Sequence, residues 1–465
     1  MMKKIFFLTL LVFGVMAVSA KSNKKIAYPG GHFNIFRVEL KDKIGSAYTL
    51  KKPEKFLSAK ALRRRAKQGL PVDSTDLPLS ATYLKRLRKA GLQVIGGSKW
   101  NNTVLIKSTE SSLAPQLAEL DFVTHCTKVF TAPDSIYPTK PDSIVADTLA
   151  QRMLKTHRYG RGLHQIKMLN GLKLHEAGFR GDGMLIAIVD GGFMNVNRIG
   201  YFKNVNIIGQ RDFAYPYTAN LYDLPDHGTM VLSDIGANVD SLFVGTAPHA
   251  SFLLLRSEDG DHESLVEEDY WAQAVEYADS VGVDVINSSL GYSKFDDKST
   301  NHKYREQDGK TTLISRTASM VAGKGMILVN SAGNEGSRPW KRTNCPADAT
   351  NILAVAALTA DSVNANFSSV GPSFDGRVKP DVGAQGYKST VIDGSGVIGT
   401  ANGTSFAAPI TCGMVTCLWQ ALPHKTAVEI MDLVRRSADR ASYPDNVYGY
   451  GVPDYWKAYL MGKDK

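Results

Sequence analysis

A hydroxyl, an imidazole, a carboxylate and a side-chain amide are the parts of an acyl-transfer site. They serve as nucleophile, base, orienter of the base, and donor to the oxyanion. The 465-residue sequence offers one of each where an element is expected to begin or end. Ser405 follows Gly403 and Thr404 and precedes an apolar run over 406–422. That run is apolar nearly all round and predicts a buried helix, with Ser405 as its N-cap and the positive helix end behind the hydroxyl. His227, in Asp226-His227-Gly228-Thr229, opens a predicted helix over 227–237. A helix N-terminus disfavours imidazolium, which suits a base that must start neutral. Asp190 follows a predicted strand over 185–189 and is itself followed by Gly191 and Gly192. Asn334 lies in the small-residue stretch Ser331-Ala332-Gly333-Asn334-Glu335-Gly336, after a predicted strand over 326–330. Singly, these are a capping serine, a capping histidine, a turn acid and a turn asparagine. Together they fill every role once.

The elements that must carry these residues fall into two units. Up to residue 131, predicted strands (32–40, 94–95, 103–106, 123–129) mix with predicted helices (57–69, 81–90, 113–120), giving a small α+β unit. A stretch rich in Pro, Asp, Ser and Thr, about 131–158, has linker composition. From about 160 apolar strands alternate with helices: strands at 185–189, 252–255, 283–287, 326–330 and 352–358, helices at 163–177, 227–237, 263–280 and 313–322. Fully apolar strands in that alternation predict an α/β fold whose parallel sheet is covered on both faces. Such sheets place their sites beyond the carboxyl ends of the strands, where Asp190, Ser289 and Asn334 fall.

Composition narrows the class. Residues 1–160 hold 27 Lys and Arg against 11 Asp and Glu, whereas residues 161–465 hold 28 against 34. The formal charge of +10 is therefore the property of the first third. The basic stretches 60–67 and 85–89 lack interleaved aromatics and read as a solvated face or one docked on the acidic second unit, not as a nucleic-acid surface. Residues 1–20 have the basic start, apolar middle and small-residue end of a secretory signal, and no later run reaches transmembrane length. Export without a transmembrane anchor is expected, to the periplasm, cell surface or medium. Cys126, Cys345, Cys412 and Cys417 have no ligand spacing and read as buried thiols, and no metal site is expected.

Four stretches carry a family resemblance: Ile188-Val189-Asp190-Gly191, Asp226-His227-Gly228-Thr229, Ser331 to Gly336, and Asn402-Gly403-Thr404-Ser405-Phe406-Ala407-Ala408-Pro409. Over about 160–455 the chain resembles the subtilisin-like serine proteases, or subtilases, whose triad runs in the order Asp, His, Ser. The resemblance implies a three-layer fold with a mostly parallel central sheet. It implies Asp190, His227 and Ser405 as the catalytic triad and Asn334 in the oxyanion hole. Ser289, Leu290 and Gly291 then form the edge that pairs with substrate backbone, and Ala332 and Gly333 a wall of the pocket. It also implies a division into signal (1–20), α+β propeptide (21–140), maturation linker (141–160) and catalytic domain (161–465), close to the layout of secreted Bacteroidetes-type subtilases. The expected partners are peptide or protein substrates and the chain's own propeptide, acting as an inhibitor. No cofactor is needed for the chemistry; structural calcium is common in the family, but Asp296, Asp297 and Asp308 lack ligand spacing. A silent peptide-binding protein with the same fold is the alternative. Two departures stand out: Gly191-Gly192 where many subtilases carry Thr or Ser before Gly, and a polar insertion over 292–312, read as a surface loop.

Overall fold

The computed structural model describes residues 24–145 and 157–463. The signal-like segment 1–20 and the middle of the linker lie outside the described residues. The larger unit is a three-layer α/β structure around a seven-stranded sheet. From edge to edge the strands are Val382–Gln385, Leu353–Leu358, Ile327–Ser331, Val285–Ser288, Leu185–Asp190, Ser251–Arg256 and Asn206–Asp212, and every neighbouring pair is parallel. Strand Leu185–Asp190 shows why the layers form. Its side chains alternate, Ile186 and Ile188 packing with Val231, Leu232 and Ile410 on one face. Leu185, Ala187 and Val189 pack with Trp271, Ala274 and Val275 on the other. A strand apolar at every position has no face for water and must be covered twice.

The chain enters this sheet near its middle, and successive strands are then laid down toward opposite edges. The strands that diverge at this point, Leu185–Asp190 and Val285–Ser288, are paired side by side. A crevice opens beyond their carboxyl ends, the place where such sheets bind ligands.

The N-terminal unit is a four-stranded antiparallel sheet, ordered Gln93–Ser98, Thr103–Ser108, Asn34–Leu40, Val123–Thr131, with helices Ala59–Lys67 and Ala81–Lys89. Along Asn34–Leu40, Phe36, Val38 and Leu40 face the unit's own core. Ile35 instead joins the core of the larger unit. Arg37, on that same face, reaches Asp269 at 2.5–2.9 Å. The dock is helix Glu267–Val281. Asp279 takes Arg64 at 2.5 Å and Arg65 at 2.7 Å, and all three side chains are buried. The Glu276 carboxylate accepts from Ser98 Oγ and from the backbone N–H of Lys99 and Trp100. The basic stretch 60–67 is thus docked on the acidic unit through Lys60, Arg64 and Arg65.

The structure departs from the sequence-based expectations most clearly in four places. The helix expected over 163–177 is two short ones, Leu163–Lys167 and Leu172–Glu176, broken where Asn170 adopts φ 52° and its amide binds Asp454. The buried helix begins at Thr404, capped by Gly403 without a side-chain bond, so Ser405 lies inside its first turn and is not the N-cap. Strands Asn206–Asp212 and Val382–Gln385 were not anticipated; the first is a half-exposed edge rich in polar residues, the second only four residues long with an internal glycine. The insertion over 292–312 is anchored rather than loose: Tyr292, Phe295 and Gln307 are buried, and His302 bonds Glu268 at 2.7 Å.

Candidate active site

Asp190 is the last residue of its strand and is fully buried. Its carboxylate accepts from the Gly191 N–H at 2.8 Å and contacts His227 Nδ1 at 2.9 and 3.0 Å. The bond to Nδ1 turns the other ring nitrogen, Nε2, toward the cleft. The two loops close on each other through glycine. Gly228 N–H donates to Gly192 O at 3.0 Å. A Cβ on Gly192 would stand 2.6 Å from Pro225 O, and one on Gly228 only 2.4 Å from Gly192 O. Gly191, the family departure, has ordinary room, its virtual Cβ lying 3.5 Å from Glu258. The His227 ring lies 5.7 Å from that of Phe406, tilted at 46°, and about a third of its side chain is exposed. Burial pulls its pKa down, but attraction to Asp190 and the bond between them outweigh this and hold it above the ordinary 6.5.

Ser405 stands in the first turn of helix Thr404–Ala421, 8% exposed. Its hydroxyl donates to Ser289 O at 3.3 Å, while Ser289 Oγ donates to Ser405 O at 2.8 Å. Ser405 Oγ thus faces Ser289; among the described residues it makes no bond to His227. Asn334 is exposed beside the start of this helix. Its Oδ1 accepts from Thr404 N at 3.0 Å and from Thr404 Oγ1 at 3.1 Å, which leaves Nδ2 as the cleft-side donor. Thr404 Oγ1 also accepts from Gly333 N–H at 3.1 Å.

These residues meet in one cleft of about 640 Å³, lined by Asp190, His227, Ser289, Leu290, Gly291, Gly333, Asn334 and Ser405. Ala332 is not on its surface: it is fully buried, its backbone tied to Val355 and Asn344. Sequence reasoning passed over Thr404, although it precedes Ser405, because a threonine there reads as part of the turn. It also passed over the acidic run Glu258 to Glu263, which follows strand Ser251–Arg256 and forms another wall. The signal was available, since that run stands at a strand's carboxyl end like the others. Asp296 bonds His262, while Asp297 and Asp308 cap local turns. Among the described residues no group of three or more His, Cys, Asp or Glu could hold a metal ion. No described helix is long and apolar enough to cross a membrane.

Comparison with known proteins agrees with this architecture. Residues 181–451, more than half of the chain, match the family model described as the subtilase family, peptidase S8. Residues 36–142 match the peptidase S8 propeptide domain of Bacteroidota. Subtilisin BL of Lederbergia lenta is 27% identical over 279 residues, 60% of this chain and 91% of its own. Subtilisin DY of Bacillus licheniformis is 25% identical over 292 residues, 62% of this chain and 93% of its own. The crystal structure of the epidermin leader peptide processing serine protease of Staphylococcus aureus superposes with a TM-score of 0.63, covering 94% of this chain and all of that one. At 19% identity that likeness is one of fold.

Proposed function

The chain belongs to the subtilase family of serine peptidases, and from that premise we propose that it is an exported serine endopeptidase, made as a zymogen, in which Ser405 is the nucleophile. His227 takes the Ser405 proton through Nε2 and returns it to the leaving amine, and Asp190 orients the ring and steadies the imidazolium. Attack gives a tetrahedral intermediate, its collapse an acyl-enzyme on Ser405, and water releases the acid by the same route. Asn334 Nδ2 and the Ser405 N–H hold the oxyanion, assisted by the positive end of the Thr404–Ala421 helix. Ser289, Leu290 and Gly291 pair with the substrate backbone as an added strand. Gly333, with Ala332 behind it, walls the pocket before the cut. Residues 1–20 direct export, residues 21 to about 140 fold as inhibitor and are cut away within 141–160, and residues 161–465 are the enzyme.

The observation that carries this reading is the His227–Asp190 pair facing the same cleft as Ser405 and Asn334. The Ser405 hydroxyl must exchange the Ser289 carbonyl for His227 Nε2. Resting sites commonly hold such bonds long or misaligned until substrate is bound. A different observation, Ser405 turned from His227 toward Ser289, favours the second reading, a silent peptide-binding protein. A fluorophosphonate probe separates the two. Processed protein is expected to label at Ser405 and to hydrolyse peptides; protein freed of its N-terminal unit that neither labels nor cleaves is a binder.

A further inference from the structure

Resting on the peptidase reading above, we infer that Glu258 is a specificity residue: it receives a Lys or Arg side chain of the substrate, on the same side of the cut as the Ser289–Gly291 edge. Glu258 stands two residues past strand Ser251–Arg256, whose end is in register with Asp190. It is 9% exposed and lines the cleft with His227 and Ser405. One carboxylate oxygen, Oε1, accepts from Tyr292 Oη and from Ser257 Oγ. Tyr292 directly follows Gly291, so this bond ties Glu258 to the substrate edge. The other oxygen, Oε2, has no hydrogen-bond partner among the described residues. Oε2 is also not among the atoms shut off from solvent, so it is the oxygen presented to the cleft, where a partly desolvated carboxylate favours a cation that comes to it.

The surroundings point the same way. Asp190, Asp261, Glu263, Glu267 and Asp296 share the cleft with Glu258. The nearby basic side chains are already engaged: Arg256 with Asp212 at 3.0 Å, His262 with Asp296 at 3.0 Å, Arg338 with Glu335 at 3.0 Å, and His227 with Asp190. Glu267 is spent at the head of its helix, accepting from the N–H groups of Asp259 and Ser264 in the preceding loop. Burial pushes the Glu258 carboxyl up to about 7 against the bonds from Tyr292 and Ser257, and repulsion from Asp190 adds to it. A substrate cation would favour the ionised form. The chain's own maturation segment offers such side chains in Arg152, Lys155 and Arg158.

The test uses matured protein and a peptide library read for cleavage, followed by paired peptides with Lys or norleucine at the enriched position. Lys or Arg is expected to dominate at one position before the cut, with kcat/KM at least tenfold above norleucine. That ratio is expected to rise with pH as Glu258 and its cleft neighbour Glu263, both held up by burial, ionise, and Glu258→Gln separates the two; titration of His227 acts on both peptides and cancels. Glu258→Gln is expected to collapse the ratio toward one, and Glu258→Asp to restore part of it. Cleavage without basic preference, or a ratio unchanged in Glu258→Gln, overturns the inference, as does an equal loss on both peptides, which would mark Glu258 as a support for Tyr292. Should Glu258→Gln fail to mature, the wild-type library profile decides alone. Absence of any cleavage or labelling sinks the peptidase reading itself and is thereby distinguished.

Discussion

The Asn334 amide has two ends, and Thr404 occupies one of them. By taking Oδ1 from both its N–H and its hydroxyl, Thr404 leaves Nδ2 free to donate into the cleft. Asn334→Ala is expected to lower kcat by about 10² to 10³-fold with little change in KM, the size known for one such donor in a subtilisin. Thr404→Val keeps the backbone bond and loses the hydroxyl, so a smaller fall in kcat is expected. Steady-state kinetics of both variants on one peptide check the order. His227 gives a pH prediction. Its charged form is favoured by Asp190, and only the neutral ring can act as base. Activity is therefore low in acid and rises with pH through a midpoint above 6.5, the ordinary value for histidine. A kcat/KM profile on a neutral peptide reads it directly; a midpoint below 6.5 would mean that burial outweighs Asp190.

At the scale of elements, helix Glu267–Val281 joins the two units. Three of its buried acids are matched from the N-terminal unit: Asp269 by Arg37, Asp279 by Arg64 and Arg65, and Glu276 by the backbone at residues 99 and 100. Removing one partner strands the others in a dry interface, at a cost of about 3–5 kcal/mol. Asp279→Ala, made with Ser405→Ala so that the chain stays uncut, is expected to lose stability of that order in chemical denaturation. Ser280→Ala on the same helix, which loses one neutral hydroxyl's bonds, from Lys99 across the interface and to Glu276 O within the helix, is the control and is expected to lose about 1 kcal/mol.

For the whole molecule, the uneven charge is an assembly device. The basic first third and the acidic remainder attract at long range, which favours their encounter, and the buried pairs then fix the register. If maturation is autocatalytic, Ser405→Ala produced by itself accumulates as the uncut precursor. Mass spectrometry of the purified protein checks this, and normal processing of that variant would place the cut with another protease.

The sequence by itself determined the two units, the parallel sheet and the residue types of the site, because strand hydrophobicity, glycine punctuation and short functional motifs are local properties. Asp190, His227, Asn334 and Ser405 could be picked out because each sits in a motif at an element's end. What only the tertiary structure decided is non-local. Thr404 matters through Gly333 and Asn334, about seventy residues away in sequence. Glu258 matters through Tyr292 and through neighbours drawn from several strand ends. The break at Asn170 depends on Asp454, which no nearby residue announces. A lone acidic run or a tolerable helix pattern reads the same whatever packs against it, and only packing distinguishes a solvated carboxylate from one buried beside a nucleophile.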